Sequence, residues 1–373
     1  MTEQEMWWNW ITGPRKLIDA IYNALHERIS IHVSCLPDFS WSGEMRFMME
    51  RKLMLIERRL ILIDASEQES QMPDLYLLHR CGLNSMQVNE YKSHKNSVMD
   101  FLSGFGELSE SVVWIYNIEP SRQLEWVKLW KTWTSTYTDL VIETIETTTS
   151  RAESTKAGKN KKLFYIGQFI TPSDTRLFIY MLSKEQAIHE LFQRYVASAL
   201  SNVCGSDSET ALMLYNQMSV DQEDLLDSIK KALLKYPELH TIDSEYYVKH
   251  NDAIHLFRTG NEKELQASIF KAQLEVFFPL IEQKRIDFIE MYSAELSRHA
   301  PKFNALNEPI ETVFDLDIGQ VVKTVHGMSG LNPIKKSTAF AVLVELRDLR
   351  NKLAHSVLCD VSELGRIAQV HQS

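Results

Sequence analysis

Arg350 and His355, within the stretch Leu346-Arg347-Asp348-Leu349-Arg350-Asn351-Lys352-Leu353-Ala354-His355-Ser356-Val357-Leu358, are the residues whose types and spacing could do chemistry. A guanidinium offers a fixed fork of donors that binds a phosphate through two parallel hydrogen bonds. An imidazole is the side chain whose unperturbed pKa suits proton transfer near neutrality. Asn351 adds a polar group directly after the arginine, and Arg347 and Asp348 lie just before it.

The element that must position them is a helix. Val342, Leu346, Leu349, Leu353 and Val357 recur at steps of three and four with no Gly or Pro between them, which predicts one apolar stripe facing a core. Asp348, Asn351 and His355 then share a second face, and Arg347 and Arg350 a third. Positions five apart on a helix point about 140° away from each other. One helix therefore splays Arg350 from His355, and a two-fold pair of chains is the arrangement that would bring the groups together.

The run Arg350-Asn351-Lys352-Leu353-Ala354-His355 resembles the signature of the HEPN family. The resemblance implies a metal-independent endoribonuclease with no cofactor, acting on RNA in a bacterial stress or anti-phage defence setting and paired as a homodimer through its C-terminal bundle. It further implies that Arg350 binds phosphate and the transition state, His355 transfers protons and Asn351 orients them, with Arg347 and Asp348 in support. A second reading stays open beside it. Arg350 pairs with a carboxylate such as Asp348 or Glu345, His355 caps or packs, and the chain is a non-catalytic interaction, sensor or scaffold protein whose bundle binds a protein partner.

Bulk properties bound both readings. A chain of 373 residues exceeds the usual single core, and 44% hydrophobic with 24% charged residues is ordinary for a globular protein. A net charge of −10 argues against coating nucleic acid non-specifically. Cys35, Cys81, Cys204 and Cys359 are too scattered for a zinc knuckle or a disulfide framework. His250 and His255 miss the i, i+4 spacing of a helix-borne metal pair, so no metal is expected. Met1 to Trp10 is acidic and aromatic, unlike a secretory leader, and no run approaches the roughly 20 apolar residues that span a bilayer. The expectation is a soluble cytoplasmic protein with no membrane association.

Three regions are expected. Residues 1–182 read as an α/β domain with a mostly parallel sheet, its strands at Arg28–Ser34, Arg59–Asp64, Ser111–Glu119, Leu163–Gly167 and Thr175–Tyr180. Trp7, Trp8 and Trp10 are expected to pack on it. Residues 183–260 read as a helical middle, opened by a capping box at Ser183-Lys184-Glu185-Gln186. Residues 261–373 read as a helical bundle with a long helix bent or split at Pro279 and the Arg350 motif facing the interior.

The order of strands and helices in the first region is similar to a P-loop nucleoside-triphosphatase core, with Val112 to Glu119 where the acidic metal-binding strand would lie. The phosphate-binding loop is missing, because Ser34 to Gly43 lacks a second glycine and the Lys-Ser/Thr that hold phosphates and Mg²⁺. No ATPase activity is expected from this degenerate domain. The polar stretch Thr147 to Lys162 reads as a mobile surface loop, in which Lys156, Lys159, Lys161 and Lys162 are candidates for touching RNA phosphates, with a merely solvated loop as the alternative.

Overall fold

The computed structural model describes residues 2–35, 41–68, 72–91, 98–103, 108, 110–133, 138–145, 160–184, 189–218, 223–236, 253–303, 308–328 and 333–372. Two units emerge, divided chiefly after Phe178.

In the first unit, β1 (Ser30–Cys35) and β4 (Asp139–Ile145) are buried almost end to end, as strands covered on both faces must be. They form the centre of a five-stranded parallel sheet with β2 (Arg59–Asp64), β3 (Ser111–Tyr116) and β5 (Lys161–Tyr165), in the order β2-β3-β4-β1-β5. Register pairs Ser34 with Thr144 and Trp114 with Val141, so the carboxyl ends of β1, β3 and β4 finish together. The edge strands β2 and β5 mix exposed and half-buried positions with a few buried ones.

Helices α1 (Glu3–Trp10), α2 (Thr12–His26) and α3 (Ser42–Met54) precede or follow β1, with α2 packing on β1 and α3 on β2. After β2 come α4 (Pro73–Arg80), α5 (Ser85–Glu90) and α6 (Val98–Ser103), and α7 (Gln123–Thr132) follows β3. One core joins Tyr76, Leu77, Trp126 and Trp130 to Val113, Ile115, Leu140 and Ile142. A second aromatic group brings Trp7, Trp41 and Phe178 edge to face, at centroid separations of 5.4 to 6.0 Å. Trp8 donates its indole N–H to the Trp41 carbonyl at 3.0 Å, so α1 pins the turn that starts α3. Trp7 and Trp8 thus pack as expected, while Trp10 stays exposed.

At the amino end of the sheet Arg58 acts as a clamp. It reaches Asp139 at 2.5 Å, the Leu25 carbonyl at 2.6 Å and the Ser111 carbonyl at 3.2 Å, tying α2, β3 and β4 to the start of β2. Both charged side chains are 3% exposed. Burial drives the Arg58 pKa down and the Asp139 pKa up, and the attraction between the two works against both shifts.

The strand expected at Thr175–Tyr180 is instead helical, within α8 (Pro172–Ser183). Its β-branched and aromatic content misled, and the signal that decides is local. Asp174 accepts from the Thr171 amide and hydroxyl and from the Gly13 amide, so one carboxylate serves the starts of both α8 and α2. Ser183 ends α8 rather than capping the next helix, and residues 185–188 of the expected capping box lie outside the described residues. The strand that sequence reasoning overlooked is β4.

The second unit holds α9 (Glu190–Cys204), α10 (Ser208–Gln217, shared with the first unit), α11 (Leu225–Lys235), α12 (Ala253–Arg258), α13 (Lys263–Met291), α14 (Ser293–His299), α15 (Ile318–Gly327), α16 (Thr338–Ala354) and α17 (Val361–Gln372). Helix α13 is the axis, with α9 and α16 along it. It is one continuous helix through Pro279 and is not split there. Its buried Ile269, Ala272, Phe277 and Ile281 bracket the proline, and their packing outweighs the roughly 3 kcal/mol that an interior proline costs.

Candidate functional site

In an open parallel sheet the place for a ligand is outside the carboxyl ends of the strands, where successive connections part in opposite directions. Here the chain leaves β1 toward β2, and returns from β4 across β1 to β5, which puts the parting at β1 and β4. The carboxyl edge of this unit is therefore the candidate site, and its contents decide what it can do.

Glu143, near the end of β4, dominates it. One oxygen accepts from Arg46 Nη1 at 2.7 Å and the other from Trp114 Nε1 at 2.6 Å. The side chains of Arg46 and Glu143 are 11% and 8% exposed. Arg46 comes from α3 and lays its guanidinium 4.1 Å from the centre of the Tyr116 ring, at the end of β3. Burial pushes the Glu143 carboxyl up, and the Arg46 charge and the indole hydrogen bond draw it back. Burial and the neighbouring Glu143 together raise the Cys35 thiol, which keeps it protonated.

Beside this cluster Asp64 ends β2. It accepts from Asn117 Nδ2 at 3.0 Å and from the Ser66 amide and hydroxyl at 2.9 and 2.7 Å. Burial works to raise this carboxyl, and those hydrogen bonds with the Arg46 charge outweigh it, leaving the pKa below its ordinary value. Glu44 stands in the first turn of α3. Of these residues Arg46 carries the positive charge and is already paired, against the carboxylates of Glu143, Asp64 and Glu44, and no group of metal-ligating side chains occurs among the described residues. Residues 36–40 of the loop after β1 lie outside the described residues.

The residues singled out in sequence are placed otherwise than expected. The buried stripe of α16 is Phe340, Leu343, Leu346, Leu349 and Leu353, and Val357 is exposed. The helix stops at Ala354, because Ser356 turns left-handed (φ 57°) and the Val357 amide reaches back to the Lys352 carbonyl at 2.9 Å. His355 is the cap residue, not a helical one, and is exposed with Asn351 and Asp348. The interior face belongs to leucines, not to the motif. Arg350 is half-buried and touches Asn351 Oδ1 at 3.5 Å, while Arg347 pairs with Asp348 at 2.8 Å and Lys352 with Glu363. Lys161 and Lys162 lie in strand β5 rather than in a loop. Lys161 donates to the Lys131 carbonyl and its ammonium lies 5.7 Å from the Trp130 ring centre, and the Lys162 ammonium lies 4.9 Å from that of Phe164. Lys156 and Lys159 lie outside the described residues, as does His250.

No family model and no curated protein matches this chain. Solved structures do. The ORC1 protein of Aeropyrum pernix in complex with DNA is 10% identical with a TM-score of 0.32, over 91% of this chain and 82% of that one. The ORC2 protein of Aeropyrum pernix in ADPNP–ADP complexes is 10% identical with a TM-score of 0.30, over 98% and 97%. Drosophila ORC bound to poly(dA/dT) DNA and Cdc6 is 11% identical with a TM-score of 0.28, over 98% and 71%. Likenesses this loose assign no function. They are to ORC proteins and not to HEPN proteins, which overturns the HEPN expectation. With it fall the ribonuclease activity, the RNA substrate, the anti-phage setting and the homodimer that the activity required. The architecture itself stands as an α/β unit with a parallel sheet followed by helices, and no described helix is long and apolar enough to cross a membrane.

Sequence reasoning missed Arg46, Trp114 and Glu143. Their signal was faint, an acid at the end of the apolar run Leu140-Val141-Ile142 and an arginine three residues past Gly43.

Proposed function

We propose that the α/β unit serves recognition rather than nucleotide turnover, and that the chain acts by engaging a protein partner. The observation that supports this is the closed Arg46, Glu143 and Trp114 cluster at the carboxyl edge. A magnesium nucleotide needs donors free to take its phosphate oxygens, and the sequence from Ser34 to Gly43 lacks the Lys-Ser/Thr pair that would supply them. Diverting Arg46 to a phosphate would leave Glu143 buried and unpaired. That costs about 3–5 kcal/mol before any binding is gained.

Helix α3 carries the complementary feature. Phe47, Met54 and Leu55 are 50%, 67% and 82% exposed, and their spacing places them with Arg51 along one outward stripe. Grouped apolar exposure of this kind marks a protein-contact surface.

Calorimetric titration of the full chain with Mg-ATP tests the first half of the reading, and no tight binding and no phosphate release are expected. Micromolar affinity with turnover would refute it. For the second half, Phe47→Asp combined with Leu55→Asp should leave thermal stability unchanged and abolish association with a protein that co-purifies with the tagged wild type. Undiminished association would remove α3 as the contact surface.

A further inference from the structure

Within the helical unit a cavity of about 130 Å³ opens where α9, α11, α13, α17 and the segment before α17 converge. Phe192, Leu225, Ile269, Leu358 and Leu364 supply its apolar lining, and its polar lining includes the carboxylates of Asp224, Asp227 and Asp360 and that of Glu223, which is paired with Lys231. No lysine, arginine or histidine lines it.

The site is built by long-range hydrogen bonds. Gln273, 1% exposed, receives the Cys359 amide at 2.9 Å, and gives its own N–H groups to the Cys359 carbonyl at 2.8 Å and to Tyr195 Oη at 3.2 Å. Asp224 stands at the cap position of α11, yet its side chain does not cap that helix. One of its oxygens instead holds the Val361 amide of α17 at 2.8 Å, and the other has no hydrogen-bond partner among the described residues. Tyr195 is 4% exposed and only accepts, so its hydroxyl proton has no acceptor among the described residues. Burial keeps that phenol protonated across the physiological range.

We propose that this cavity binds a small organic cation, an ammonium on an apolar body of about six to eight heavy atoms that also carries an oxygen acceptor, since a cavity of roughly 150 Å³ accommodates benzene. The ammonium meets the free Asp224 oxygen with Asp227 and Asp360 around it, the apolar body fills the space between Phe192 and Leu364, and the oxygen receives the Tyr195 proton. An anion is disfavoured because the charged side chains that line the cavity, Glu223, Asp224, Asp227 and Asp360, are all acidic. A neutral ligand of the same shape leaves Asp224 without its charge partner.

The test uses the full chain in an amine-free buffer, titrated by calorimetry and by NMR chemical shifts. The probes are protonated 3-methoxypropylamine, protonated butylamine, 1-methoxybutane and 3-methoxypropanoate. Saturable binding in the order methoxypropylamine, butylamine, methoxybutane is expected, with none for the anion. Asp224→Asn keeps an oxygen for the Val361 amide and should weaken methoxypropylamine about tenfold, the loss of one charge-assisted hydrogen bond. Tyr195→Phe should bring methoxypropylamine down to butylamine and leave butylamine unchanged. Asp227→Asn, at an exposed position, should also weaken binding, and it decides the matter if the Asp224 variant fails to fold. Equal binding of the anion, no saturation by the cation in the millimolar range, or affinities indifferent to these carboxylates would overturn the proposal.

Discussion

His32 should make this protein acid-labile in a window that its surroundings define. It sits in β1, 1% exposed, with Nε2 2.6 Å from Thr144 Oγ1 and its ring against Trp130 at 5.4 Å. Burial, helped by the Lys131 charge, lowers its pKa from 6.5 to about 3. A histidine depressed on folding contributes stability that is complete above the unfolded pKa and is lost as pH falls, because the unfolded chain takes up a proton that the folded chain refuses. The window therefore runs from pH 6.5 down to about 3. One pKa unit is worth about 1.4 kcal/mol, so this residue alone should remove about 2 kcal/mol by pH 5. That is a large share of the 5–15 kcal/mol typical of a domain. Other groups titrate in the same range, so the assay is a difference. Urea unfolding of wild type and of His32→Gln, whose amide can still meet Thr144, is followed at pH 7, 6, 5 and 4. The gap between the two should change steadily in favour of the variant below pH 6.5. A constant gap down to pH 4 would refute the reasoning and imply that the imidazole is hydrated or charged in the folded state.

Three further outcomes follow from packing. In Gly13→Ala the new Cβ would stand 2.3 Å from the Phe169 carbonyl oxygen, a backbone atom with little freedom to move, and thermal denaturation should show a loss of at least about 2 kcal/mol. Arg58→Met leaves Asp139 buried and unpaired at the amino end of the sheet and should cost about 3–5 kcal/mol, most of it recovered in Arg58→Met with Asp139→Leu; a double variant no better than the single would show that packing rather than charge governs the site. His355→Ala and Asn351→Ala, both exposed, should change stability by less than about 0.5 kcal/mol in the same measurement.

The contrast between β3 and β4 shows what the sequence discloses and what it hides. Val112 to Tyr116 is an uninterrupted apolar run and is legible as a buried strand from residue types alone. Asp139 to Ile145 is buried just as deeply, but it carries an acid near each end, and acids in a short run ordinarily signal solvent. Each is tolerated because an arginine distant in sequence neutralises it, Arg58 at the amino end and Arg46 at the carboxyl end. Those partners lie 81 and 97 residues away, where no periodicity can link them. The converse error occurred at Thr175 to Tyr180, where strand-like residues yield to a helix start fixed by the Asp174 carboxylate and Gly13. At the carboxyl edge the same reasoning bears on function. The lack of a Lys-Ser/Thr pair between Ser34 and Gly43 was readable in the sequence, whereas the arginine and glutamate at the edge belong to α3 and β4, and only the folded chain brings them together. Among the described residues Arg46 is committed to Glu143, which is why the proposed recognition falls to the outward face of α3.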